Sequence, residues 1–405
     1  MTLTHSLRAL AAPNYRRFFA GQCVSLLGNW MTSTAAFWLV YHLSGNPAHL
    51  GLVVFANQIP VPLLAPFAGV WVDRTDRVRV LKVTQILSLL QSAALAVLVL
   101  SGHATVARII GLCFVQGFIN GVDWPARQSL SALMVGERSH LDNAIALNSL
   151  TFNAARLVGP AIAGFVIAAW GPGVCFAIDA ASFVAVLAAL FALRLPAHVP
   201  RAAAAHPLTD LREGLGYAWR HPALRTLLLL VPGMSLFGFA HVFLAPVFAR
   251  DIFHGDARML GFLLSVTGVG SVLAGVYLAL RPTTVGLERT IALGSVLTGA
   301  GLAGFAFAPA LPLACAALVA VGAGGVLAMA GTNTLLQSLV HDDKRGRVMG
   351  LFVMGQGMYP VGSLAVGAIA AATGAPWATF GCGLVCLAIA FWFSRRGAAF
   401  ATPGN

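Results

Sequence analysis

The chain has 405 residues, of which 58% are hydrophobic and only 9% charged, and its net charge is +12. A soluble globular chain carries roughly a quarter charged residues, so water is excluded as the main solvent. Charge-free apolar stretches reach about 20 residues, the length that crosses a hydrocarbon core as a helix.

Met1 to Leu10 contains no separate apolar region with a small-residue cleavage site, so the first span is expected to remain as an anchor. Spans follow at about 18–43, 48–71, 80–101, 104–124, 145–169 and 173–194. A polar, basic segment from Arg194 to Arg225 comes next, with Leu208, Leu211, Leu215 and Trp219 at helical spacing among Asp210, Arg212, Glu213 and Arg220. This pattern predicts a cytoplasmic linker with an interfacial amphipathic helix. Six further spans lie at about 226–248, 258–280, 290–308, 312–339, 347–372 and 376–394. The expected architecture is an all-α membrane protein of twelve transmembrane helices in two pseudo-symmetric six-helix bundles. Residues 1–194 form the first bundle, 195–225 the linker, and 226–405 the second bundle with a short tail.

With this threading, 21 of the 25 basic residues fall on the face that holds the amino terminus; Arg108, Arg250 and Arg258 fall on the other, and Arg156 lies inside a span. By the positive-inside rule both termini are cytoplasmic and the protein sits in the inner (plasma) membrane. The basic balance is then a topology signal with the lipid bilayer as its partner, and no nucleic-acid partner is expected. Cys23, Cys113, Cys175, Cys315, Cys382 and Cys386 all lie in apolar stretches, so neither disulfides nor a metal site is expected.

The two halves resemble weak repeats, as in transporters built from parallel repeats. Gln128-Ser129-Leu130 stands near the cytoplasmic end of the fourth span and Gln337-Ser338-Leu339 at the matching end of the tenth; each is followed by a charged loop and a helix with proline near glycine, Gly159-Pro160 and Pro360-Val361-Gly362. No phosphate-cradling G-x-x-x-x-G-K-[ST] loop is present, which excludes a primary pump of that type. No H-E-x-x-H pair or nucleophile-base constellation appears either, so an intramembrane enzyme is not expected, and a channel is the other class kept open. No cofactor is called for, and a gradient, with the proton as the expected driving ion, supplies the energy.

Ionisable groups inside spans are costly and face a cavity or a partner. Asp123 lies near the cytoplasmic end of its helix and suits a gate. Arg156, near the midplane, either lines the substrate path or neutralises an internal acid. Asp179 stands at a height from which it can meet Arg156, and is either a structural acid or the proton carrier. His241 titrates near neutral pH when unperturbed and is either structural or a second carrier. Gln22, Asn29, Asn57, Asn148, Asn153 and Gln356 are candidate cavity residues, some of which serve only to join helices.

The loop Gly69-Val70-Trp71-Val72-Asp73-Arg74-Thr75-Asp76-Arg77-Val78-Arg79 resembles the cytoplasmic signature of the major facilitator superfamily, with Asp76 in place of its second glycine and Val78 in place of a base. Gly159-Pro160-Ala161-Ile162-Ala163-Gly164 is similar to the glycine-proline motif of that family's antiporters, with Ala163 replacing one glycine. Asn14-Tyr15-Arg16-Arg17-Phe18, Gly21-Gln22, Trp124-Pro125-Ala126-Arg127 and Arg345-Gly346-Arg347-Val348-Met349-Gly350 resemble the branch of macrolide efflux pumps and the enterobactin exporter. The resemblance implies a secondary transporter that exports an amphiphilic small molecule, drug-like or siderophore-like, by alternating access, as a monomer. Import or uniport of a small metabolite is the alternative. It also implies a gating motif of Gly69, Asp73, Arg74 and Arg77, with Asp73, Arg77 and Asp123 locking the outward-facing state. Asp73 is expected to face the start of the eleventh span, where Gly346 and Gly350 offer a small-residue face for close packing; a solvated loop pair of Asp73 and Arg77 is the other reading. Many relatives carry an acid in the first helix near Asn29, and this chain has none there.

Overall fold

A computed structural model of the chain describes residues 8–135, 138–193, 207–281 and 283–396. The first part of the expected linker, with Arg194 and Arg201, lies outside the described residues. Among those described the regular structure is helical, with no strand, and twelve helices are long and apolar enough to cross a membrane. In hydrocarbon each backbone N–H and C=O must be satisfied within its own segment, and a helix does this without a neighbour.

Spans 1 to 6 occupy Pro13–Ser44, Pro47–Arg74, Arg77–Leu100, Val106–Val135, Arg138–Trp170 and Pro172–Phe191. Spans 7 to 12 occupy Pro222–Ile252, Ala257–Leu280, Leu287–Ala306, Leu311–Leu339, Asp342–Thr373 and Ala375–Arg395. Three of them are interrupted: span 2 at Ile59 before Pro60, span 7 at Gly238-Phe239, and span 11 at Gly357-Met358. Spans 4 and 5 instead run unbroken through Pro125 and Pro160. The expected end of span 4 at residue 124 is therefore too early by about three turns. A proline removes one hydrogen bond, and neighbouring helices tolerate that loss in a membrane.

The helices group into two units. The first takes residues 1–44, 56–204 and 255–265, the second 45–55, 205–254 and 266–405, so spans 2 and 8 each contribute their opening turns to one unit and their remainder to the other. At one end of the first unit, Tyr15, Phe18, Val72, Leu81, Leu130, Leu147 and Leu190 form a buried cluster. It joins the beginnings of spans 1, 3 and 5 to the ends of spans 2, 4 and 6, as alternating helix directions require.

Elsewhere packing depends on glycine, because lipid tails give helices no hydrophobic reason to associate and only close backbone approach gains contact. In the first unit Gly21 lies against Ala185 and Val186 while Gly28, two turns later, lies against Asp179 and Ser182. In the second, Gly294 meets Gly324, Gly299 meets Gly383, and Gly322 and Gly270 lie against the backbones of Thr267 and Val319. One pattern appears in both halves. Gly164 and Gly367 each stand seven residues before a glycine of positive φ, Gly171 at 84° and Gly374 at 90°, that turns the chain into the next span. Gly164 packs on Gly261 within the first unit, and Gly367 on Gly51 within the second.

The glycine contacts are specific enough to test. A Cβ at Gly322 would stand 1.9 Å from the Thr267 carbonyl oxygen. Gly322→Val is expected to lower the thermal unfolding midpoint of the purified protein, through overpacking that costs about 1–3 kcal/mol. Gly325→Val, where no atom lies within 4 Å, is the control and should leave the midpoint near that of the parent.

Candidate functional site

Two buried carboxylates in the first unit show opposite chemistry. Asp123, on span 4, is 7% exposed and fully engaged. Its Oδ1 accepts from Thr84 Oγ1 at 2.7 Å and Gln85 Nε2 at 2.8 Å, both on span 3. Its Oδ2 accepts from Arg127 Nε at 2.9 Å and Nη2 at 2.6 Å, one turn along the same helix. Arg127 Nη1 continues to Gln22 Oε1 on span 1. The chain of contacts ties spans 1, 3 and 4 through one neutralised pair.

Asp179, on span 6, is 1% exposed. Thr32 Oγ1 on span 1 and Ser92 Oγ on span 3 both donate to its Oδ2, at 2.9 and 2.8 Å. Its Oδ1 has no hydrogen-bond partner and faces the backbone of Gly28, where a Cβ would come within 2.5 Å of it. Among the described residues no cation pairs with Asp179. Two hydroxyls from two neighbouring helices hold one oxygen, and the other is left over. This arrangement can accept or release a proton without breaking an ion pair.

These facts bear on two expectations. Arg156 is half-buried on span 5 and is not a partner of Asp179: similar height does not turn side chains toward each other, and span 1 lies against span 6 at Gly28 with Thr32 supplying the contact. Asp123 pairs with Arg127, one turn away; the expected network of Asp73, Arg77 and Asp123 runs through the side chain of Asp73. The backbones of Gly69, Asp73 and Arg74 lie in the last turns of span 2; the side chain of Asp73 and the surroundings of Gly69 lie outside the described residues.

Among the described residues a Cβ at Gly346 or Gly350 would meet nothing within 4 Å; the side chain of Asp73, which they were expected to face, lies outside them. The packing of span 11 falls on Arg347, against Gly214 of the linker helix, and on Gly355, against Val231 and Pro232 of span 7. Gly159 lies on Trp30, while Pro160 and Gly164 lie on Gly261, Ala257 and Arg258 at the start of span 8. His241 is buried in span 7, in the other unit from Asp179.

Of the candidate cavity residues, Gln22 accepts from Arg127, Asn57 donates to the Cys113 carbonyl at 3.3 Å, and Asn148 accepts from Tyr15 at 3.2 Å, so these three join helices. Asn153 bonds its own helix at Ser149. Asn29 is half-buried and Gln356 exposed. Sequence reasoning missed Thr32, Ser92, Thr84, Gln85 and Arg127. The i, i+4 spacing of Asp123 and Arg127 was the available signal for the pair; the hydroxyls give none until span 3 is placed.

Comparison with known proteins matches residues 4–398 to the transmembrane secretion effector family. The chain belongs to that family, within the major facilitator superfamily. It is 27% identical over 388 residues to the staphyloferrin A transporter of Staphylococcus aureus, covering 94% of this chain and 96% of that one. It is 28% identical to the multidrug efflux pump Tap of Mycolicibacterium fortuitum, over 86% and 87% of the two chains. The crystal structure of the nucleoside transporter NupG (D323A mutant) shares the fold, with a TM-score of 0.72 at 15% identity over 98% of this chain and 100% of that one. The protein is a multi-pass membrane transporter and not an enzyme.

The two carboxylates of this transporter should respond differently to substitution. Asp123→Ala strands Arg127, and because the arginine side chain is 20% exposed the expected loss is about 3 kcal/mol, the lower end for breaking a buried pair. Asp179→Asn keeps an acceptor for Thr32 and Ser92 and is expected to cost less than about 1.5 kcal/mol. Denaturant titration in detergent micelles measures both; equal losses would overturn the distinction.

Proposed function

We propose that this transporter exports an amphiphilic small molecule, drug-like or siderophore-like, across the inner membrane in exchange for protons, by alternating access. Export is supported by the family's description as a secretion effector and by the names of the two relatives, one a siderophore transporter and one a multidrug efflux pump. The glycine-proline motif at Gly159-Pro160 points the same way through its likeness to that of antiporters. The basic bias of one loop set supports cytoplasmic termini.

Proton coupling rests on one observation, the Asp179 site. A carboxyl buried among hydroxyls, with no cation paired with it among the described residues, changes the net charge of its surroundings each time it gains or loses a proton. That is the property a coupling group needs. Asp123, neutralised by Arg127 and saturated by Thr84 and Gln85, lacks it.

The test is substrate-dependent proton flux in proteoliposomes of the purified protein, screened with macrolide-like, tetracycline-like and catecholate compounds under an imposed pH gradient. One of these compounds is expected to move against the proton flow, and Asp179→Asn to reduce that flux at least about tenfold, the general scale for loss of a proton-transfer group. Movement of the compound that ignores the pH gradient sinks the coupling and leaves a uniporter or a sodium-driven carrier.

A further inference from the structure

Ser92 stands between two acceptors and has one hydrogen to give. Its Oγ lies 2.8 Å from Asp179 Oδ2 and 3.3 Å from Oε1 of its chain neighbour Gln91. A hydroxyl donates once but carries two lone pairs, so it serves one of these oxygens at a time. The shorter distance is ordinary for O–H···O and the longer lies just past the usual range. In this geometry the hydrogen goes to Asp179, and Gln91 stands by as a second acceptor.

Gln91 is held for that part. It is 6% exposed, and its Nε2 donates to the Leu112 carbonyl of span 4 at 3.0 Å. A backbone carbonyl can only accept, so this bond fixes which end of the amide is nitrogen and leaves Oε1 on the side of Ser92. Asp179 meets no competing charge among the described residues. Thr32 and Gly28 face it from span 1 and Ser92 from span 3. On span 6, Ser182 bonds the Asp179 backbone carbonyl at 2.7 Å, and the thiol of Cys175, one turn earlier, is turned to the Ala163 carbonyl of span 5.

The carboxyl needs the second acceptor only after it has taken up a proton. Ionised, it accepts from Thr32 and Ser92 at Oδ2 and makes no use of Gln91. Protonated, it becomes a donor. A hydrogen at Oδ1, which has no hydrogen-bond partner, would be stranded, whereas one at Oδ2 points to Ser92 Oγ. Ser92 then accepts from Asp179 and turns its own hydrogen to Gln91 Oε1. Without that oxygen the Ser92 hydrogen would be buried and unanswered, which costs more than an ordinary bond gains. We infer that Gln91 is a positioning residue of the coupling site, stabilising the proton-loaded form of Asp179 through Ser92. One O–H bond forms, at Oδ2; Ser92 keeps its own hydrogen and only reverses its bond. The inference rests on the coupling role proposed for Asp179.

The experiment follows the infrared C=O stretch of the buried protonated carboxyl in the purified full-length chain as pH is varied, the band being assigned by its loss in Asp179→Asn. In Gln91→Leu the protonated form loses its last acceptor, so the titration midpoint should fall by about one pH unit, about tenfold in proton affinity. Gln116→Leu is the control: Gln116 also bridges spans 3 and 4, donating to Ser88 at 3.1 Å, and its loss should leave the midpoint where it was. In a Ser92→Ala chain, where the relay is gone, Gln91→Leu should add no shift. Gln91→Met, nearer in shape to glutamine, takes the place of Gln91→Leu if that chain does not fold. An unmoved midpoint in the Gln91 variant, or an equal shift from Gln116→Leu, overturns the proposal and leaves the coupling role of Asp179 standing. A parent chain with no titrating band that Asp179→Asn removes overturns both.

Discussion

The absence of water from the hydrocarbon core determines most of what is seen in this chain. Backbone groups must pair within each helix, and once they have done so little remains to draw one helix to another except contact between surfaces. Glycine supplies that contact by removing the side chain where backbones meet. The seats at Gly28, Gly164, Gly322 and Gly367 are therefore as much a part of the architecture as an apolar core is of a soluble domain. They also decide what the buried polar groups can touch: Gly28 brings span 1 near enough for Thr32 to reach Asp179.

The same lack of water divides the two carboxylates. A charge in this environment is stable when it is paired and its lone pairs are filled, as for Asp123, which accepts four hydrogen bonds from three side chains. Asp179, with one oxygen held by Thr32 and Ser92 and no cation paired with it among the described residues, is not held in one charge state by an ion pair, which is what the proposed coupling role requires. Both sit in the first unit, and their difference arises from one residue, Arg127, that has no counterpart paired with Asp179 among the described residues.

The spans were legible because a long uncharged apolar run has few alternatives in a membrane, and eleven of the twelve span ends in the sequence reading fall within about one turn of those in the structure. Span 4 was not, since the sequence reading took Trp124-Pro125 as a terminus and the helix continues to Val135. Asp179 was singled out from sequence because a lone acid in an apolar run is conspicuous. Its partners were invisible, because serine and threonine are common in helices and only the packing of spans 1, 3 and 6 selects Thr32 and Ser92. The glycines of span 11 show the converse: Gly346 and Gly350 have the spacing of a packing face, yet among the described residues a Cβ at either would meet nothing within 4 Å.

Gly164 belongs to a recognisable motif, and Gly367 to none. Each nevertheless stands two helical turns ahead of a left-handed glycine and each receives another glycine from a helix shared between the units, Gly261 in one case and Gly51 in the other. If the halves descend from one duplicated six-helix ancestor, the duplication has been preserved in where backbones touch, while the side chains that define the motif survived in one copy alone. Ancestry in such a chain is better traced through its contacts than through its letters.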